Sequence, residues 1–437
     1  MARPKYKIIL CDYINPLSDL KAQYVVGGAF VLKLSKDGYK IEALGKKNQL
    51  LSRYLKQGDC EVVDLSHYTA LPGLYDMHFH WVQDDVRQMP KDSLLDWLQN
   101  YTWPSEMKFK NKAYSKKKAR EFSKKLISCG TFGGACYASI HGHSVDHALE
   151  RFLGDFVLGN VLMTMNSPKG LIQSEKNALD LIKKKTKKFK NRYALTPRFA
   201  PTTSPEVMDK GSLLAKKNNS FIQTHLSETK EEIDYVLSLY QKIQGFENIK
   251  SYTEIYEKCG ILGRKTIMGH GIHLSDKELK TLKKTKTSIA HCPTSNAPLR
   301  QKGLGSGLFD FQKVEKKGIN WALGSDIGAG PYLSMFDVMD SFVKQNKKKK
   351  NLQATYTKAL YRATLKGAEI LEKKKESGNF AKAKWGNFVF LPSPKNKELK
   401  VEEALKKMIS KSEKKRELFD SLVEKTFYRG EEVFSKA

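Results

Sequence analysis

From residue 71 to about residue 375 the chain repeats one rhythm: a short apolar run ending on polar residues, then a longer amphipathic stretch. The apolar runs span Ala70–Asp76, Thr131–Ala138, Phe156–Met163, Tyr193–Pro197, Phe221–Thr224, Thr266–Gly269, Thr287–Ala290 and Ile319–Gly324. Helical patterns at about 112–128, 174–190, 206–218, 229–243, 275–284 and 306–317 separate most of them. Two more, at about 334–346 and 352–372, follow the last run. Eight strands alternating with helices predict an α/β fold closed as a (β/α)8 TIM-type barrel.

The flanks read differently. Residues 1–70 form short strand patterns such as Tyr24–Leu32 and Glu61–Leu65, with turns at Gly27-Gly28, Asp37-Gly38 and Gly58-Asp59. After about residue 376 strand patterns return at Trp385–Leu391 and Thr426–Phe434, around a charged, helix-like stretch at 400–425. The expected organisation is a barrel of residues 71–375 and a small flanking β-sandwich domain built from both ends, 1–70 plus 376–437.

The 437 residues are 40% hydrophobic and 28% charged, which excludes collagen-like, mucin-like and wholly disordered chains. No apolar run approaches the ~20 residues of a spanning helix. The N-terminus has neither the apolar core nor the cleavage site of a signal peptide, so a cytoplasmic protein without a membrane partner is expected. Cys11, Cys60, Cys129, Cys136, Cys259 and Cys292 show no C-x-x-C spacing and read as free thiols. With 77 Lys and Arg against 47 Asp and Glu the net charge is +30, which invites a nucleic-acid partner. The lysines fall in short runs, such as Lys116–Lys118, Lys183–Lys185, Lys347–Lys350 and Lys373–Lys375, on helix-like segments with interspersed Glu. No aromatic-interleaved stripe accompanies them, so solvated helix faces and no specific nucleic acid are expected.

The chemistry-bearing residues sit at the ends of the apolar runs. His78 and His80 are two apart, so on a strand both imidazoles project to one face. His225 ends the run Phe221–Thr224, with Glu228 three residues on. His270 ends the run at Gly269, and Asp326 follows the run at Gly324. In a barrel all of these converge on one mouth, at the C-terminal ends of the strands. Three imidazoles and one carboxylate from this set suit zinc or iron(II) and leave one position for water. A bound metal lowers the pKa of that water to about 7, and Glu228 is placed to carry protons.

Longer stretches carry a resemblance. They are P-G-L-Y-D-M-H-F-H-W-V-Q at 72–83, Y-T-W-P-S-E at 101–106, T-P-R-F-A at 196–200 and Q-T-H-L-S-E at 223–228. G-H-G at 269–271 with Leu274-Ser275, S-I-A-H-C-P-T-S-N at 288–296 and L-G-S-D-I-G-A-G at 323–330 continue the pattern. Over about residues 60–390 the chain resembles the amidohydrolase superfamily and, more narrowly, its guanine deaminase family. The resemblance implies one catalytic zinc per subunit held by His78, His80, His225 and Asp326, with Fe2+ as the other metal that this set accepts. It implies that Glu228 moves protons, that Asp326 takes the proton of the attacking water, and that His270 hydrogen-bonds the water or the tetrahedral centre. Gln83 and Arg198 would hold the polar edge of a purine and Phe199 would pack on its ring, with His225, Glu228 and Asp326 also facing the substrate. The implied reaction is hydrolysis of guanine to xanthine and ammonia by a cytoplasmic homodimer. A related hydrolase of pterin, cytosine or 8-oxo-guanine stands as the alternative, as does a basic, non-catalytic scaffold on the same barrel.

Two other patterns carry less. His141-Gly142-His143-Ser144-Val145-Asp146-His147 is one residue too long for the H-x-H-x-D-H metal motif; the resemblance implies that His141 lies on the loop after the second barrel strand, near the pocket, as a substrate contact or a solvent-facing residue. His291-Cys292 shapes the pocket wall in the family and is not expected to bind metal.

Overall fold

The computed structural model describes residues 3–91, 93–298, 303–411 and 413–436. The chain opens with β1 (Tyr6–Ser18), β2 (Lys21–Ser35), β3 (Gly38–Lys46) and β4 (Cys60–Pro72). Eight strands follow: β5 (Leu74–His80), β6 (Thr131–Ala138), β7 (Asp155–Leu162), β8 (Ala194–Pro197), β9 (Phe221–Leu226), β10 (Thr266–His270), β11 (Ser288–His291) and β12 (Trp321–Leu323). The chain ends with β13 (Phe388–Pro392), β14 (Lys425–Tyr428) and β15 (Glu431–Ser435).

Strands β5 to β12 lie side by side in chain order and pair in parallel, as the alternating pattern predicts. Backbone just beyond β12 closes the ring onto β5: the Asp326 N–H donates to the His78 carbonyl at 2.7 Å, and the His80 N–H donates to the Ile327 carbonyl. Inside the barrel Ala135, Val157, Ala194, Phe221, Ile267, Ala290 and Ala322 form one apolar cluster contributed by seven successive strands. Side chains two residues further along the same strand face follow them toward the mouth, which puts Tyr137 above Ala135.

The strand boundaries match within two residues, apart from the first. The barrel strand is Leu74–His80, not Ala70–Asp76. Residues 70–72 belong to β4, which pairs with β1 and β13. One apolar run thus serves two sheets, with only Gly73 between them. Helices at Gly142–Arg151 and Tyr252–Lys258 lie outside the expected set, and the 352–372 pattern breaks into Tyr356–Arg362 and Leu365–Ile370.

The two ends do meet. β1–β4 and β13–β15 form one continuous seven-stranded sheet in the order β15-β14-β13-β4-β1-β2-β3. The expected sandwich is therefore built from a single sheet that curls on itself. Its long strands accumulate twist until β3 reaches the far side, where the Tyr39 N–H donates to the Arg429 carbonyl and the Gly386 N–H to the Tyr39 carbonyl. Ile9, Phe30, Tyr39, Phe380, Phe388, Phe390 and Phe427 fill the enclosed core.

Arg362 fastens this sheet to the barrel. Its guanidinium donates to both oxygens of Asp19, in the β1–β2 turn, at 2.7 and 2.6 Å, and to Glu315 at 2.8 Å. It also donates to the Trp321 carbonyl on β12 at 2.8 Å and stacks 4.2 Å from the Trp321 ring centroid. Arg362→Met leaves Asp19 without its fork, while Glu315 keeps Lys358, and is expected to lower the unfolding free energy by about 3 kcal/mol. Denaturant titration checks this, and an unchanged midpoint would show that the junction carries no stability.

Candidate active site

β5 delivers His78 and His80, β9 delivers His225, β10 ends on His270, and Asp326 follows β12. Ser227, His270 and Asp326 adopt φ of 50°, 70° and 53°. Left-handed backbone costs a non-glycine residue roughly 1–2 kcal/mol, and three such residues at neighbouring strand ends mark stored strain at a functional mouth. Two glycines make room for the first strand. A Cβ on Gly269 would stand 2.6 Å from the His78 ring, and one on Gly324 would stand 2.8 Å from the His78 backbone nitrogen.

His78, His225, His270 and Asp326 each offer a metal-binding atom, all within 4.8 Å of one another. His80 joins them, its Nε2 3.1 Å from His225 Nε2 and 3.7 Å from Asp326 Oδ1. His78 Nε2 lies 3.3 Å from the same Oδ1. His225 Nδ1 is 2.6 Å from the Arg198 carbonyl, so Nδ1 carries the hydrogen and Nε2 keeps its lone pair. Both nitrogens of His78 and Nδ1 of His80 are buried without a partner. Burial, reinforced by neighbouring imidazoles, holds His78, His80 and His225 well below the usual histidine range, in the neutral form that binds metal. Neutral, unpartnered imidazoles around a carboxylate fit a divalent cation. Asp326 is itself held: Ser295 Oγ donates to its Oδ2 at 2.5 Å. Beneath it, Asp76 accepts from the Ser325 hydroxyl and, at 2.8 Å, from the Ser325 N–H, and burial pushes its carboxyl up to about 7.

Glu228 stands beside this cluster. Its Oε1 accepts from Asn296 Nδ2 at 3.0 Å and from Ser306 Oγ at 3.2 Å. The same Asn296 nitrogen lies 3.2 Å from His270 Nδ1. An amide nitrogen that serves a carboxylate donates to His270 as well, so His270 Nδ1 is an acceptor and its unpartnered Nε2 carries the hydrogen. Burial, then the Asp326 charge, pushes Glu228 up to about 8. A divalent cation alongside would draw it back down.

Gln83, Arg198 and Phe199 line the same cavity as His80, His225, Glu228, His270 and Asp326, with Trp97, Leu98, Leu304 and Ala329 as apolar wall. His78 lies behind that lining. All the site residues expected from the sequence therefore come together. Asn296, Ser295 and Ser306, which hold Glu228 and Asp326, were not singled out, although Ser295 and Asn296 stand in the S-I-A-H-C-P-T-S-N stretch. Glu106 was not assigned either. His141 does not line the cavity; its ring stacks 5.8 Å from His143. His291 is buried against Phe309 at 4.6 Å and also stays out of the cavity lining. The six cysteines are unpaired.

Residues 69–418 match the family model described as Amidohydrolase family. The chain belongs to the amidohydrolase family, whose members are metal-dependent. Within it, the chain is 33% identical over 329 residues to the guanine deaminase of Escherichia coli (strain K12), covering 74% of this chain and 72% of that protein. It is 32% identical over 339 residues to the guanine deaminase of Dictyostelium discoideum, covering 73% and 72%. A crystal structure of guanine deaminase from C. acetobutylicum with bound guanine in the active site superposes with a TM-score of 0.83 at 30% identity, over 98% of this chain and 100% of that one. Among the described residues no helix is long and apolar enough to cross a membrane.

The packing of His78 against Gly269 gives a direct test of the cluster. Gly269→Ala is expected to displace the His78 ring and lower metal affinity by about 10–100-fold, as loss of supporting groups around ligands does. Metal content after dialysis against a graded chelator checks it.

Proposed function

We propose that this chain hydrolyses guanine to xanthine and ammonia. The observation that carries the reading is one shared cavity, in which a metal-type donor set and a raised carboxylate face an arginine, an amide and a phenylalanine. His78, His80, His225 and Asp326 would hold a zinc ion, one per subunit, whose Lewis acidity lowers the pKa of water to about 7.

The chain's own groups do the rest. Asp326, oriented by Ser295, accepts the proton of the attacking water. The water oxygen bonds to C2 of the purine while Glu228 delivers a proton to the adjacent ring nitrogen. Asn296 and Ser306 occupy Oε1 of Glu228, so Oε2 is the oxygen left to carry that proton. The His270 Nε2–H donates to the oxygen at the tetrahedral centre. The C2–amine bond then breaks as Asp326 passes the water proton to the leaving amine, which departs as ammonia; the remaining hydroxyl proton returns to Glu228, and the ring nitrogen keeps the proton that Glu228 delivered. Arg198 and Gln83 read the carbonyl and ring-nitrogen edge, and Phe199 covers the ring face. A site that pairs buried polar groups with a substrate edge rejects analogues lacking that edge by factors of up to about 10^4–10^5. A cytoplasmic homodimer, with a barrel domain of residues 71–375 and an end-built β domain, belongs to the same proposal and is supported by the family resemblance.

The test is ammonia release by metal-loaded protein on guanine beside adenine, cytosine, pterin and 8-oxo-guanine. Guanine is the expected substrate, and turnover of another member alone would overturn the assignment. Glu228→Gln is expected to lower kcat by about 10^2–10^4-fold with metal content intact. His225→Ala is expected to lose metal and thermal stability together, because a metal bound only by the folded state stabilises it; full occupancy in that variant would reject the ligand set.

A further inference from the structure

Glu106 does not line the cavity, yet it touches two residues that do. It is fully buried on the short helix Trp103–Met107. Its Oε1 accepts from Gln83 Nε2 at 2.8 Å, and its Oε2 accepts from Arg198 Nη1 at 2.7 Å. Gln83 comes from the turn after β5 and Arg198 from the end of β8, so one carboxylate joins the two polar readers across the pocket. We propose that Glu106 is a positioning and charge-masking residue: it fixes the hydrogen-bonding sense of Gln83 and cancels the charge of Arg198, so the pocket holds a neutral amino-oxopurine and releases its more acidic dioxo product. The proposal rests on the guanine hydrolase reading above.

The first half follows from donor and acceptor accounting. Gln83 Oε1 accepts from the Gly328 N–H at 3.2 Å while its Nε2 serves Glu106. Flipping the amide would set carbonyl against carboxylate and amino group against N–H, so both contacts would be lost. Glu106 therefore decides which Gln83 atom is left to face a ligand. The second half follows from charge. Arg198 is 3% exposed, and among the described residues Glu106 is the one carboxylate in ion-pair contact with it. A buried guanidinium without a counter-ion is strongly unfavourable and attracts an anion to replace it. Exchanging the purine amine for a second carbonyl makes the product a stronger N–H acid than the substrate. An unmasked Arg198 would therefore favour the product anion, and a masked one does not.

The experiment compares the metal-loaded wild type with Glu106→Gln and Glu106→Asp, reading KM for guanine and the inhibition constant Ki for xanthine across pH. Wild-type Ki is expected to rise as pH passes through the first ionisation of xanthine, because the paired Arg198 offers the anion no net charge while Glu228, Glu232 and Asp326 line the same cavity. Glu106→Gln is expected to raise KM by about tenfold or more and to lower the Ki-to-KM ratio by about tenfold or more, with the pH trend of Ki reversed. Glu106→Asp keeps the charge at a shorter reach; it is expected to raise KM yet retain the wild-type pH trend. A purely structural role would shift KM and Ki together and leave the trend unchanged, which would overturn the proposal. If Glu106→Gln does not fold, a wild-type Ki that falls through the xanthine ionisation overturns it equally. Arg198→Ala separates the two readings: undiminished guanine turnover there rejects the purine pocket itself, whatever Glu106 does.

Discussion

The hydrogen bond from the Asp326 N–H to the His78 carbonyl is where the barrel closes, and the two residues it joins also face each other across the metal-type cluster. A second clasp lies directly beneath, where Asp76 takes both the hydroxyl and the N–H of Ser325. The last strand thus docks on the first through the residues that carry the chemistry and their immediate neighbours. Closing so long a loop costs entropy that only the finished ring recovers. The site consequently exists only when all eight strands are in register, and anything that loosens β12 from β5 also separates Asp326 from His78.

Burying so many ionisable groups in one mouth is unfavourable unless each finds a way to shed or share its charge. The imidazoles do it by staying neutral. Asp76 and Glu228 do it through raised pKa values, to about 7 and about 8. Arg198 does it by pairing with Glu106. What is left over is directional: the partnerless nitrogens of His78 and His80, the Nε2–H of His270 and the second oxygen of Glu228. A core built only for stability would satisfy these atoms, so their convergence is the signature of chemistry rather than of packing.

The alternating pattern makes the barrel legible, because a parallel strand buried on both faces reads as a compact apolar run between helices. The histidines and Asp326 are legible for a related reason: each stands where such a run ends. Other features are hidden because their signal is not local. Ala70–Asp76 reads as one apolar run, and only the pairing of residues 70–72 with β13 shows that it is shared between two sheets. Helix Gly142–Arg151 starts with Gly and His and lacks a side-chain cap, so its onset carries little propensity. Glu106 and Asn296 stand in recognisable stretches, but their partners lie far off in the chain, and a bridging carboxylate is invisible until both of its partners are placed.

Part of the excess of lysine sits where helices end. In a barrel the helices run back from mouth to base, so their C-terminal turns gather at the face opposite the site. Those turns are basic: Lys125 in helix Lys112–Ser128, Lys187 and Lys188 in Glu175–Phe189, Lys216 and Lys217 in Pro205–Lys217, and Lys283 and Lys284 in Asp276–Thr285. Cations there complement the partial negative charge of the helix C-terminus, at about 0.3–1 kcal/mol each when exposed. Part of this charge is paired as well, Lys125 with Asp84 and Lys188 with Asp146. At the mouth itself, among the described residues, Arg198 is the one lysine or arginine lining the cavity, and it is already paired. A strongly basic protein can therefore keep the guanidinium of its pocket paired, because Arg198 is balanced within the site by Glu106 while the lysines sit on helix ends.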